Sequence, residues 1–206
     1  MNPSFGVLRR LATARPAPTG ERCEMCADSI APTHRHVVDV EARQLMCVCQ
    51  GCYLLFTETR AALRYRSVPD RYLGFERTSI GPGEWDELEI PVGLAFLFRN
   101  SALGRIVACY PGPAGAIESE LPPQRWRELL DRHPELDVLA ADVEALLIRM
   151  PRGGGAGRVL LVPIDTCYEF VGRMRLLWKG FDGGAQARDC IEDFFAAMSA
   201  RAGGGR

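Results

Sequence analysis

Cys23-Glu-Met-Cys26 and Cys47-Val-Cys49-Gln-Gly-Cys52 bracket a segment that carries His34-Arg-His36, and this stretch decides how the N-terminal part of the chain folds. The pairs Cys23/Cys26 and Cys49/Cys52 have the two-residue spacing that turns both thiolates of a tight turn towards one cation. Two such turns about twenty residues apart describe a tetrahedral four-cysteine structural site. The spacing therefore predicts a zinc-ribbon-like module over 21–56, with Zn2+ held by Cys23, Cys26, Cys49 and Cys52. The same ligands suit a mononuclear iron or an iron–sulfur cluster, so both alternatives stand.

Between the knuckles, residues 33–49 look like two short strands around a turn. A turn centred near residues 42 and 43 would pair Val38 with Cys47 and His36 with Cys49, and period-two alternation would point Cys47 and Cys49 to one side. On that register His36 sits beside the metal, as a ligand or as an N–H donor to a thiolate. His34 is expected as a solvated residue at the strand entry. Five cysteines compete for four positions, and Cys47 is the spare, either a small buried apolar residue or an alternative ligand that swaps in.

The rest of the chain is read outward from this module. Residues 1–20 form an arm with one short helical pattern at Phe5, Leu8 and Leu11, broken by Ala-Arg-Pro-Ala-Pro-Thr-Gly. After Cys52 a helix is expected, then a linker over 57–84 in which Arg64, Arg66, Arg71 and Arg77 alternate with Tyr65, Tyr72 and Phe75. Such a mixture stacks on bases, grips carboxylates or docks locally. Gly81-Pro82-Gly83 marks a boundary before an α+β domain over 85–201.

In that domain Ile90–Phe98 and Arg105–Tyr110 read as a hairpin, Pro111–Ser119 as a glycine-rich structural turn, and Pro122–His133 as an amphipathic helix with His133 at its end. Val143–Met150 and Arg158–Ile164 read as strands. The alternation of Tyr168, Phe170, Met174, Leu176 and Trp178 with charged residues favours a fifth strand, though Tyr168, Val171, Arg175 and Trp178 also fit a helix face. A helix follows over about Ala185–Ala200, with a disordered tail at 202–206. Cys109, Cys167 and Cys190 are single thiols read as core filler. The fold class is α+β, a zinc-ribbon module followed by a mainly antiparallel sheet with flanking helices.

With 206 residues, 47% of them hydrophobic and 25% charged, the composition is that of a globular protein. A net charge of −1 argues against a nucleic-acid partner, since such binding rests on a basic surface that displaces counterions. No apolar run reaches the roughly 18–20 residues a membrane span needs. The paired cysteines read as thiolates kept reduced in the cytoplasm. No Gly-x-Ser-x-Gly elbow or His-Glu-x-x-His motif supports a hydrolase, and the chain is read as non-catalytic.

Cys23-x2-Cys26, His34-Arg-His36, Cys47-x-Cys49-x2-Cys52, Ile90-Pro-Val-Gly-Leu-Ala-Phe96, Tyr110-Pro-Gly-Pro-Ala-Gly-Ala-Ile-Glu-Ser119, Asp142-Val-Glu-Ala-Leu-Leu147 and Trp178-Lys-Gly-Phe-Asp-Gly-Gly184 together resemble a bacterial family of unknown function. The likeness covers nearly the whole chain after residue 20. It implies genes set beside those of actinobacterial-type, oxygen-tolerant nickel–iron uptake hydrogenases. The expected role is then an accessory or assembly protein, with a hydrogenase subunit or maturation factor as partner. The alternatives from other classes are an iron-thiolate or iron–sulfur protein for redox or metal delivery, and a nucleic-acid-binding zinc ribbon.

Overall fold

The computed structural model describes residues 20–58, 63–112, 115–179 and 183–203. The arm at 1–19 and the last three residues of the tail lie outside them, as do 180–182 of the Trp178–Gly184 segment.

The ribbon is a three-stranded antiparallel sheet in the order β2-β1-β3, with β1 Arg35–Asp39, β2 Gln44–Val48 and β3 Tyr65–Ser67. The Asp39 carboxylate accepts from the Ala42 amide at 3.0 Å, and Arg43 takes a left-handed φ of 56°. These two features fix a turn over 40–43 and pair Asp39 with Gln44, Val38 with Leu45 and His36 with Cys47. The observed register thus differs from the expected one, which set His36 opposite Cys49. Cys49 lies past the end of β2 and caps helix α1, Gln50–Leu54, so it shares no strand face with Cys47.

Residues 57–84, read as helix and linker, instead supply β3 and strand β4, Leu73–Ile80. Arg64, Arg66 and Arg71 there are engaged with carboxylates. Arg64 pairs with Asp39 at 2.7 Å, Arg66 with Asp142 at 3.3 Å, and Arg71 grips the buried Glu144 through two N–H donors at 2.7 and 2.5 Å.

The larger sheet has six antiparallel strands in the order β4-β9-β8-β5-β6-β7. Its further members are β5 Leu94–Asn100, β6 Arg105–Gly112, β7 Gly115–Glu120, β8 Glu144–Arg149 and β9 Gly157–Pro163. The Pro111–Ser119 segment, expected as a turn, is the end of β6 and most of β7; its prolines and glycines masked an edge strand, where such residues are tolerated. Strand β8 reads Glu-Ala-Leu-Leu-Ile-Arg, apolar on both faces, because the sheet is covered on both sides.

One layer is formed by α2 (Pro82–Glu87) and α3 (Pro123–Arg132), whose Trp85, Trp126 and Leu129 pack on Ala95, Leu97, Leu146 and Ile148. The other is formed by α4 (Ile164–Leu177) and α5 (Gly184–Gly203), whose Phe170, Met174, Phe194 and Met198 pack on Phe96, Ala145 and Leu147. His133 closes α3 as expected. Residues 164–177 are a helix and not the fifth strand the alternation suggested. Their buried positions, Ile164, Cys167, Phe170 and Met174, recur at three and four, while the alternating Tyr168 and Leu176 are exposed. The architecture is an α+β sandwich with the cysteine-rich ribbon leaning on the α4 side, where Val38 and Val68 join the cluster around Phe170.

Candidate metal centre

Two turns build the site. In the first, the Cys23 carbonyl accepts from Ala27 N–H and the Cys23 amide donates to the Asp28 carbonyl, each at 2.8 Å. Ala27 closes this knuckle in a left-handed conformation, φ 64°, tethered through its carbonyl by the Arg22 guanidinium. In the second, Cys49 precedes α1 and its sulfur accepts from the Cys52 amide at 3.5 Å. The knuckles are joined by the Glu24 amide, which donates to the Cys47 carbonyl at 2.9 Å, and by the Glu24 carboxylate, which accepts from the Cys47 amide.

The outcome is a single cluster: the sulfurs of Cys23, Cys26, Cys49 and Cys52 all lie within 4.8 Å of one another. Cys26 and Cys49 are 3.6 Å apart. A tetrahedral ion with metal–sulfur bonds of about 2.3 Å needs edges of about 3.8 Å, so the cluster is already close to the coordination polyhedron. The four cysteines could hold a metal ion, and these donors fit it.

The thiol electrostatics agree. Burial works against the Cys23 thiolate, but the backbone amides of Cys49, Cys26 and Met25 outweigh it and bring its pKa down to about 6. Burial and the neighbouring cysteines push Cys52 up to about 12. A set of thiols that cannot all ionise together is what a divalent cation resolves, because it stabilises every thiolate at once.

Cys47 stands apart for a geometric reason. Val37, Met46 and Val48 face the small cluster that includes Cys23, while Val38 and Leu45 face the large domain. Alternation along β2 therefore sends Cys47 to the large-domain side. His36, expected beside the four sulfurs, lies on that same side opposite Cys47, and its Nδ1 donates to Asp165 Oδ2 at 2.9 Å. His34, expected as a solvated residue, is also drawn in. His34, His36 and Cys47 form a second group of donors whose ligand atoms lie within 4.8 Å of one another. The signals for this group, a His-x-His pair and an unused cysteine, were visible in the sequence. Asp165 was not, since only the fold brings it 129 positions along the chain to His36.

Fold and site together define an α+β protein with an N-terminal cysteine cluster suited to a metal ion. Residues 22–202 match the model of a family described as "Family of unknown function (DUF5947)", and the chain belongs to that family. No curated protein and no solved structure matches it. Among the described residues no helix is long and apolar enough to cross a membrane.

Proposed function

We propose that this chain is a zinc-ribbon accessory protein of the cytoplasm, in which Zn2+ on Cys23, Cys26, Cys49 and Cys52 rigidifies a lobe that docks on a protein partner. The observation that carries the reading is the four-sulfur cluster, whose spacing matches a closed, tetrahedral structural site that leaves no position for substrate. Leu54 and Leu55, 58% and 69% exposed, sit directly after the second knuckle and offer an apolar contact held in place by it. Arg64, Arg66 and Arg71 pair with the protein's own carboxylates, which weighs against a nucleic-acid surface there. The finer form of the proposal, resting on the family resemblance, is that the partner is a nickel–iron hydrogenase subunit or maturation factor.

The test is affinity purification of tagged wild type and of the Leu54→Asp, Leu55→Asp double variant from the native host, with metal analysis of each. The wild type should carry zinc and bring down a hydrogenase subunit or maturation factor. The variant should keep zinc and lose the partner. A wild type that purifies alone sinks the docking role. Visible absorption from iron thiolate, where zinc thiolate is silent, sinks the zinc assignment.

A further inference from the structure

The face of the β1/β2 hairpin turned away from the four-cysteine cluster carries its own donor set. His34 and His36, two apart in sequence, project to one side of the extended chain, and antiparallel pairing places Cys47 directly across from His36. Both imidazoles have Nδ1 committed as a donor, His34 to the Ala31 carbonyl at 3.0 Å and His36 to the Asp165 carboxylate at 2.9 Å. An Nδ1–H tautomer leaves the lone pair on Nε2. His34 Nε2 is buried and has no hydrogen-bond partner, on a side chain only 10% exposed. A buried ring nitrogen left bare is costly, and a metal ion is one way to satisfy it.

We propose that His34, His36 and Cys47 form a second, open metal site that takes Zn2+, separate from the four-cysteine cluster. Two imidazoles and one thiolate suit Zn2+, and three protein ligands with a fourth position free is the pattern of a site that exchanges ligands. One nitrogen of each ring and the Cys47 sulfur lie within 4.8 Å of one another, and bonds of about 2.0–2.3 Å require the ligating atoms to stand about 3.3–3.6 Å apart. Asp165 acts as a positioning residue: by accepting from His36 Nδ1 it fixes the tautomer that leaves Nε2 free, as carboxylates behind metal-bound histidines do.

His34, His36 and Asp165 line a cleft of about 960 Å3 between the ribbon and α4, with Tyr72, Thr166 and Arg201 further along its wall. Two of the three ligands, His34 and His36, therefore border a space large enough for an oxygen-donor ligand. This site goes beyond the docking role and does not rest on it.

Equilibrium dialysis tests the assignment. Reduced, metal-stripped full-length chain is loaded with Zn2+ alone, dialysed, and its zinc measured. Wild type should retain two equivalents, and both the His34→Ala, His36→Ala double variant and Cys47→Ser should retain one, with unchanged circular dichroism. Asp165→Asn should keep two equivalents when zinc is in excess but weaken the second about 10–100-fold, a change in affinity that loss of packing alone would not confine to one ion. Two equivalents retained in both the histidine and the Cys47 variants would overturn the site. So would a wild type holding a single equivalent that persists in those variants and vanishes in Cys26→Ser, an outcome that leaves the four-cysteine centre standing.

Discussion

Among the described residues the ribbon's own cluster buries only Cys23, Val37 and Val48, whereas the six-stranded sheet buries a dense apolar layer on each of its faces. A lobe with so little interior cannot offset the conformational entropy of ordering its backbone, and one of its three buried residues is itself a candidate metal ligand. The large domain has the opposite economy: Phe96, Phe170 and Phe194 stack within 4.4–6.3 Å of one another and need no ion. The difference sets a domain held by packing beside a lobe with little interior of its own, whose four clustered sulfurs could hold a metal ion.

Stripping the metal is the sharpest way to break this comparison. Binding of a structural zinc is worth about 10–16 kcal/mol, so chelation or Cys26→Ser should erase amide-exchange protection in β1 and β2 while leaving β5, β8 and β9 protected. Protection that survives in β1 would mean that Val38 and Val68, docked on the large domain, hold the ribbon without the ion.

Phe170→Ala is the mirror experiment. It removes a fully buried ring and should cost about 3–5 kcal/mol in denaturant melts, with zinc content unchanged. Arg71→Ala touches the seam between the two regions. It strands the Glu144 carboxylate, 1% exposed, without its guanidinium. Because Arg71 is itself half exposed, the expected loss is about 2–3 kcal/mol, measured the same way.

The smallest effect is one of pH. The Arg64 guanidinium, helped by the Ala42 amide, holds the Asp39 carboxyl below its ordinary range. A depressed folded-state pKa contributes stability that is present above the unfolded value of about 3.9 and disappears as pH falls through the lower folded value. The melting temperature should therefore fall more steeply with acid below about pH 4 in wild type than in Asp39→Asn. Parallel curves would show that this pair does not anchor the hairpin turn.

The four-cysteine set was legible because a C-x2-C turn is local: two residues between thiols fix their geometry whatever the rest of the chain does. The helix of residues 164–177 was ambiguous. Its alternating Tyr168, Phe170 and Leu176 imitate a strand, and only the burial of Cys167, Phe170 and Met174 against the sheet reveals the helical face. The edge strand β7 was hidden for a related reason, since its pairing with β6 is decided across the sheet and not within its glycine-rich sequence.

By itself the sequence determined the candidate donor residues, the two knuckles and the α+β class, all of which depend on spacing between near neighbours. Tertiary structure alone decided which face of the hairpin each side chain takes. The register follows from the Asp39 turn and sets Cys47 opposite His36, and because Cys49 lies past the end of β2 and caps α1, its sulfur joins the other knuckle while His36 keeps the strand face that meets Asp165. Strand pairing is set by turn geometry and by what each face packs against, and no count along the chain contains that choice.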